Sequence, residues 1–323
     1  MTGILKAGDI VRSLRKPEHD LGKVLHTDGA YASIYFKGKS DPVPEARVVS
    51  FKLPVDFLEI VTGVIDPELD DLPPYADGKF RRASTSLTFE RAKSLFIKAY
   101  PLGFNDPGYL LPMGGERAYK IAANERFVAA RDLGRLASTG TGEAIRAALS
   151  AIYLSNDTHV VESLNLLHPR WEAPVFFGSL DDTDVARAYL QGALGFIADP
   201  NASSFETYAT SIERLQGGSG SDHRTGRWPA FSWLPFIADP RNHMLVRPAI
   251  VSGFASILPF DIRFSSHLEY DTYSRVLRMS RQLLGYVADS ELNLSRRPLD
   301  MIDLQSFMWV VQRHFEPGVL EVS

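Results

Sequence analysis

The feature that most limits how this chain can fold is a change of hydrophobic period across Asp66-Pro67-Glu68-Leu69-Asp70-Asp71-Leu72-Pro73-Pro74. Before it come five short β-prone runs: Gly8 to Arg12, Leu21 to His26, Ala30 to Phe36, Arg47 to Phe51 and Phe57 to Val61. After it, apolar residues recur three or four apart, beginning with Phe89, Ala92, Phe96 and Ala99. A period of two belongs to strands and one of 3.6 to helices, so the two halves call for different architectures. The acidic, proline-bearing stretch has neither period and reads as an extended connector. The expected fold class is α+β, with a small β-barrel over residues 1–62, a linker over 63–85 and a larger, mainly α-helical domain over 86–323.

Composition sharpens this by exclusion. A chain of 323 residues, 45% hydrophobic, has enough apolar material for more than one core. The absence of cysteine rules out a disulfide framework, cysteine-ligated zinc, iron–sulfur clusters and thiol nucleophiles together. Met1 to Lys6 is not a basic segment leading into an apolar one, and no run approaches the roughly 18 apolar residues of a membrane span. A cytoplasmic protein without a membrane partner is expected. Net charge is -4, and residues 1–62 carry 9 basic against 8 acidic groups, so any nucleic-acid contact must come from a local patch. All ten lysines lie at or before Lys120, and beyond it every basic residue is arginine. That asymmetry reflects base composition and composite ancestry, or else an arginine-rich part that binds phosphates or carboxylates through bidentate forks.

Five strands in about sixty residues is the size of a small barrel. Asp28-Gly29 makes a tight hairpin between the second and third strands, because glycine accepts positive φ. In the third, Ala32, Ile34 and Phe36 alternate with Tyr31, Ser33 and Tyr35, as a half-buried strand requires. The order Leu5-x-x-Gly8-Asp9-x-Val11, Leu21-Gly22-x-Val24, Ile34-x-Phe36 resembles the tudor-like or SH3-like barrels of bacterial proteins. It is similar to the short "GD.V" module, to the tail of repair helicases and to the polymerase-interacting domain of CarD-type regulators. The resemblance covers about sixty residues and implies a docking module for protein or nucleic acid, RNA polymerase or a helicase among the partners. Candidate contact residues are Arg12, Arg15, Lys16, Lys23, Tyr35 and Lys37, with Lys6, Lys39 and Tyr31 beside them. The competing reading makes these the solvated strand edges that discourage aggregation.

Helical stripes continue through Tyr119, Ala122, Ala123 and Phe127; Ile145, Ala148, Leu149 and Ile152; Val160, Leu164 and Leu167; and Ala186, Tyr189, Leu190, Ala193 and Leu194. Ser203-x-x-Glu206 has the spacing of a capping box. Asn105 and Asp106 are placed to bond their own backbone in a turn. Gly114-Gly115-Glu116-Arg117 opens a helix without the Gly-Lys-Ser/Thr of a phosphate loop. His159-x-x-Glu162 has the wrong order for a diiron bundle, and His159 and His168 read as ordinary hydrogen-bonding residues. Residues 217–227 have the composition of a flexible loop. Beyond it lie the aromatic run Trp228 to Ile237, a short strand at Met244 to Val246, and helices near Pro248 to Leu258, Asp271 to Val287 and Asp300 to Phe315. Asp300 caps the last of these and Asp303 adds charge to its first turn, which accounts for both without a metal shared with His243.

The block Pro235-Phe236-x-x-Asp239-Pro240-x-x-His243-Met244-x-x-x-Pro248, with Asp300 to Trp309, resembles a bacterial signature that follows the same barrel in settings of DNA processing or phage defence. That likeness brings no activity with it. Trp233, Trp309 and Tyr270 are candidates for base stacking, or else core residues, with Arg241, His243, Arg247, Arg296 and Arg297 as candidate phosphate or partner contacts. The expected function is a non-enzymatic adaptor in DNA transactions, acting on DNA or a DNA-processing complex, with no cofactor and no metal. A metal-dependent nuclease with scattered ligands is the competing class, and a small-molecule-binding helical domain is a third.

Overall fold

The computed structural model describes residues 5–39, 41, 44–70, 72–80, 87–111, 115–153, 166–168, 172–215, 227–258 and 260–314. The chain divides into two compact units, one of residues 1–91 and 253–262, the other of 92–252 and 263–323. An antiparallel sheet leads and a mostly helical region follows, so the protein is α+β.

All five expected strands form: β1 (Ile10–Ser13), β2 (Leu21–Thr27), β3 (Tyr31–Phe36), β4 (Val48–Lys52) and β5 (Leu58–Ile60). They make one antiparallel sheet in the order β4-β3-β2-β1-β5. The β2–β3 turn closes as its residues require: Gly29 takes φ 85°, and Asp28 Oδ1 accepts from the amides of Ala30 and Tyr31 at 2.8 and 2.7 Å. Strand alternation sends Val11, Val24, Ala32, Ile34, Phe36 and Leu58 to one face, where they form a closed apolar cluster. Each such side chain contributes about 1.5–3 kcal/mol when fully buried.

The opposite face is not left to solvent. Leu21 and Tyr35 lie there in a second buried cluster with Leu69 and Phe80, flanked by Leu72 and Tyr75. This corrects the reading of 66–74 as an extended connector. Asp66 Oδ1 accepts from the amides of Glu68 and Leu69, and Pro67 occupies the first position of a one-turn helix, α1 (Pro67–Asp70), where a missing N–H costs nothing. A two-stranded hairpin follows, β6 (Tyr75–Ala76) with β7 (Lys79–Phe80). The proline therefore starts structure, because apolar Leu69 has a sheet face to bury.

The remaining helices are α2 (Phe89–Ala99), α3 (Pro107–Leu110), α4 (Ala118–Ala129), α5 (Leu133–Thr139), α6 (Gly142–Tyr153), α7 (Glu172–Ser179), α8 (Thr183–Ala198), α9 (Ala202–Ile212), α10 (Arg227–Ala238), α11 (Pro248–Ala255), α12 (Tyr270–Asp289) and α13 (Met301–His314). Helix α8 packs against α5, α6, α9 and α10. Its Gly192 lets the backbone of Tyr208 on α9 approach, where a Cβ would meet the Tyr208 Cα at 3.0 Å. Aromatic rings fill the centre, with Phe231 4.5 Å from Tyr208 and 4.6 Å from Phe205. Helix α9 starts earlier than the Ser203 spacing suggests: Asn201 caps it in a reciprocal box with Ser204, at 3.0 and 3.1 Å. The expected strand at Met244 to Val246 does not form. That segment is buried without regular structure, and the Val246 amide donates to Ser232 Oγ at 2.8 Å instead of to a neighbouring strand. The stripe at Val160 and Leu164, with His159, Glu162, Gly114 and most of the 217–227 loop, lies outside the described residues.

Candidate functional site

The first unit holds several of its cations by pairing them within the sheet unit. Strand register places Lys23 of β2 opposite Ile10, and Tyr35 of β3 opposite Lys23, on the face that α1 and the β6–β7 hairpin cover. Lys23 Nζ donates to the Leu69 carbonyl at 2.8 Å, and Lys37 Nζ pairs with Asp66 at 2.6 Å and Asp20 at 3.4 Å. The hydrogen bond to Asp66 raises the Lys37 pKa. Tyr35 is completely buried, its hydroxyl accepting from Arg47 at 2.7 Å, so its expected role as a contact residue is corrected to a core one. Arg15 pairs with exposed Asp56 at 3.2 Å and lies 4.4 Å over the Phe57 ring. Arg12 and Lys16 remain exposed. Alternation thus did bring Arg12, Lys23 and Tyr35 to one face, but residues 66–80 occupy most of it.

The second unit handles charge differently. Arg117, at the start of α4, grips Asp300 with both guanidinium nitrogens, at 3.0 and 2.9 Å, and reaches Asp303 at 2.7 Å. Arg297 clamps Asp303 from the other side, at 2.6 and 3.1 Å, and Tyr109 donates to it at 2.8 Å. Asp303 has no exposed surface. Burial alone would lower the Arg117 pKa, but hydrogen bonds to Asp300 and the charge of Asp303 outweigh it and raise the value. Burial likewise works against the Asp300 carboxylate, and the Arg117 contacts hold its pKa below the usual range. Tyr109 is pushed well up by burial, with Asp303 adding to the effect. Asp300 caps α13 as expected, accepting from the amides of Ile302 and Asp303.

One helical turn deeper, Lys120 Nζ donates to Ser306 Oγ at 2.7 Å and to Glu116 at 3.2 Å. Burial lowers the Lys120 pKa, with Glu116 opposing. A lysine so placed has the arrangement that can draw a proton from a hydroxyl. Both side chains are fully buried, however, and Ser306 in turn donates to the Ile302 carbonyl at 2.7 Å, so here the pair ties α4 to α13. Sequence reading missed this network apart from Arg297, Asp300 and Asp303. Its trace was Asp300-x-x-Asp303-x-x-Ser306, polar residues three apart at the start of a helix whose first three turns are mostly apolar.

The other expected contacts of the second unit are not brought together. Trp233 is fully buried, edge-on to Tyr153 and Phe176 at 5.7 and 5.8 Å, which corrects the stacking role to a packing one. His243 is buried too: its Nδ1 shares a 3.0 Å hydrogen bond with the Tyr273 hydroxyl, and desolvation lowers its pKa to about 4. Arg247 is held by Glu172 at 3.0 Å, and Arg297 by Asp303, so neither fork is presented outward. Arg241 is exposed, and Arg296 is exposed with only a loose 3.6 Å pair to Asp289. Among the described residues no group of three or more His, Asp and Glu side chains is arranged to hold a metal ion, and no helix is long and apolar enough to cross a membrane.

What the network supports is an apolar surface. Between α2 and α3 the chain turns through a 3-10 segment, Gly103–Asn105, which packs on a second one, Glu291–Asn293. Four exposed leucines flank these segments: Leu294 is 71% exposed and Leu102 55%, and at the end of α3 Leu111 is 52% and Leu110 43%. Compared with known proteins, the chain matches no family model, no curated protein and no solved structure.

Proposed function

We propose that this protein is a non-enzymatic adaptor in DNA transactions. On this reading the N-terminal sheet is an SH3-like or tudor-like barrel that docks on a protein or nucleic-acid partner, and the helical unit supplies a second surface. The observation that carries the adaptor role is the leucine face of residues 102–111 and 294, held on paired loops and open to solvent. Exposed apolar side chains gathered in one place favour protein contact, whereas catalysis requires polar groups converging in a cleft. The Gly8-Asp9-x-Val11 and Leu21-Gly22-x-Val24 resemblance supports the DNA setting, and exposed Arg12, Lys16 and Arg241 are the cations open to phosphate.

The test is fluorescence anisotropy of the full chain with single-stranded, duplex and forked DNA across a salt series, with and without magnesium or manganese. Phosphate contacts release counterions, so genuine binding weakens steeply with salt. Salt-sensitive binding with intact strands is the expected result. Metal-dependent strand cleavage would replace the adaptor with a nuclease, and no binding at low salt would remove DNA as the direct partner.

A further inference from the structure

The leucine face has a foundation that surface loops usually lack. Gly103 takes φ 59°, and a Cβ there would run into the Leu292 carbonyl, so the two 3-10 segments meet backbone to backbone. Ser295 Oγ donates to Asn105 Oδ1 at 2.5 Å, and Arg297 Nε donates to the Phe104 carbonyl at 3.4 Å. Asp106 Oδ1 accepts from Gly108 N at 2.8 Å, and its Oδ2 accepts from Leu102 N at 3.1 Å. Underneath, Phe104 packs on Phe96 and Tyr109 at 4.8 and 5.4 Å, and Tyr109 is anchored to Asp303. A surface held in this way loses little conformational freedom when a partner binds.

Among the described residues around the face, exposed charge of both signs is present, with cations in the majority. Exposed Lys98 lies four residues before Leu102, near the end of α2, and Arg296, 73% exposed, is two residues beyond Leu294. Exposed Arg313 bears electrostatically on the Tyr100 hydroxyl, whose ring packs 5.4 Å from Tyr109. The nearby carboxylates are mostly engaged inward: Asp106 by two amides, Asp300 by Arg117, Asp303 by both arginines and Glu116 by Lys120. Among the described residues, half-exposed Glu291 holds Lys93, and exposed Asp289 faces Arg296 in a 3.6 Å pair that contributes little. Arg296 also sits at φ 55°, a conformation that side chains other than glycine rarely adopt and that tends to mark sites of recognition.

Resting on the adaptor reading, we infer that Leu102, Leu110, Leu111 and Leu294 dock an acidic, apolar segment of a partner protein, whose carboxylates meet Arg296, Lys98 and Arg313. The leucines supply the apolar contact, and the cations select for acidic flanks.

The experiment pans displayed random peptides of about 16 residues, long enough for four helical turns, on the full-length protein. Counter-selection uses the Leu102→Asp/Leu294→Asp double variant, both positions being exposed, with circular dichroism confirming that it folds. The expected peptides combine leucine, isoleucine, phenylalanine or methionine with an excess of Asp and Glu. Their affinity falls at least about tenfold on the double variant and severalfold on Arg296→Glu, and weakens as salt rises. Peptides without net negative charge, or peptides that bind the double variant equally well, overturn the inference, as does the absence of any variant-sensitive peptide. A wild-type dimer that the double variant dissolves in sedimentation makes the face a self-interface and overturns it as well. Metal-dependent DNA cleavage by a protein that still selects acidic peptides would remove the adaptor reading and leave this inference standing. Salt-sensitive DNA binding without such peptides would do the reverse.

Discussion

The two units dispose of the same residue types in opposite ways. In the sheet unit, Arg15 with Asp56 lies on the surface, Lys37 reaches in to buried Asp66 from the margin, and Arg47 is buried beside Tyr35. In the helical unit, Asp303, Lys120, Glu116 and Tyr109 are all buried, bound to Arg117, Arg297 and Ser306. Marginal ion pairs add little stability, while a buried charge deprived of its partner is costly. The difference teaches that the helical unit depends on its polar contacts being complete, whereas the sheet unit depends on apolar cover over both faces.

The largest expected effect tests that dependence directly. Asp303→Ala leaves two partly buried guanidinium groups and the Tyr109 hydroxyl without their shared acceptor, and should destabilise by about 3–5 kcal/mol. All four tryptophans, Trp171, Trp228, Trp233 and Trp309, fall within the helical unit, so their fluorescence in a urea titration reads that unit specifically. An unshifted midpoint would break the comparison. Leu69→Ala should destabilise the sheet unit by about 2–5 kcal/mol, through lost packing in the cluster it shares with Leu21, Tyr35 and Phe80. Amide hydrogen exchange in β2 and β3 should accelerate while the tryptophan transition stays in place. Faster exchange in both units together would show that they do not unfold separately.

Acid titration sharpens the comparison further. His243 is held neutral by burial, with a native pKa of about 4 against 6.5 when unfolded. Above pH 6.5 both states carry neutral imidazole and the residue costs nothing. As pH falls below 6.5 the unfolded chain takes up the proton first, and helical-unit stability should decline by about 3 kcal/mol by pH 4. The decline should be absent in His243→Gln, measured by the same tryptophan signal. The smallest effect is expected at Arg15→Ala, where an exposed pair over Phe57 is removed at a cost of about 0.5 kcal/mol or less. A larger loss, read by thermal melting of the sheet signal, would mean that marginal charges matter more in this unit than their exposure implies.

Much of the scaffold was legible beforehand because it is written in local periodicity. The alternation of Ala32, Ile34 and Phe36 located β3 and its core face, Asp28-Gly29 located the turn, and the stripe Tyr273, Val276, Leu283, Val287 located α12. These are consequences of backbone geometry repeating every two or 3.6 residues, and they need no knowledge of distant neighbours. The candidate contacts were far less legible. Tyr35, Trp233 and His243 have the residue types of a binding site, yet each is buried by elements remote in sequence: residues 66–80 over Tyr35, α6 and α7 around Trp233, and α12 against His243.

By itself, then, the sequence determined the five strands of the sheet, the main helical stripes, the α+β class and the cap that starts α13, since each follows from short-range hydrogen bonding and hydrophobic period. Only the tertiary structure decided that the acidic proline-bearing stretch is a cover for the sheet, that Asp303 joins Arg117 and Arg297, and that Lys120 meets Ser306. Arg297 and Asp303 are six residues apart, but the other partners lie tens to nearly two hundred residues apart, and whether a charge faces solvent or another charge depends on which surfaces the packing brings together.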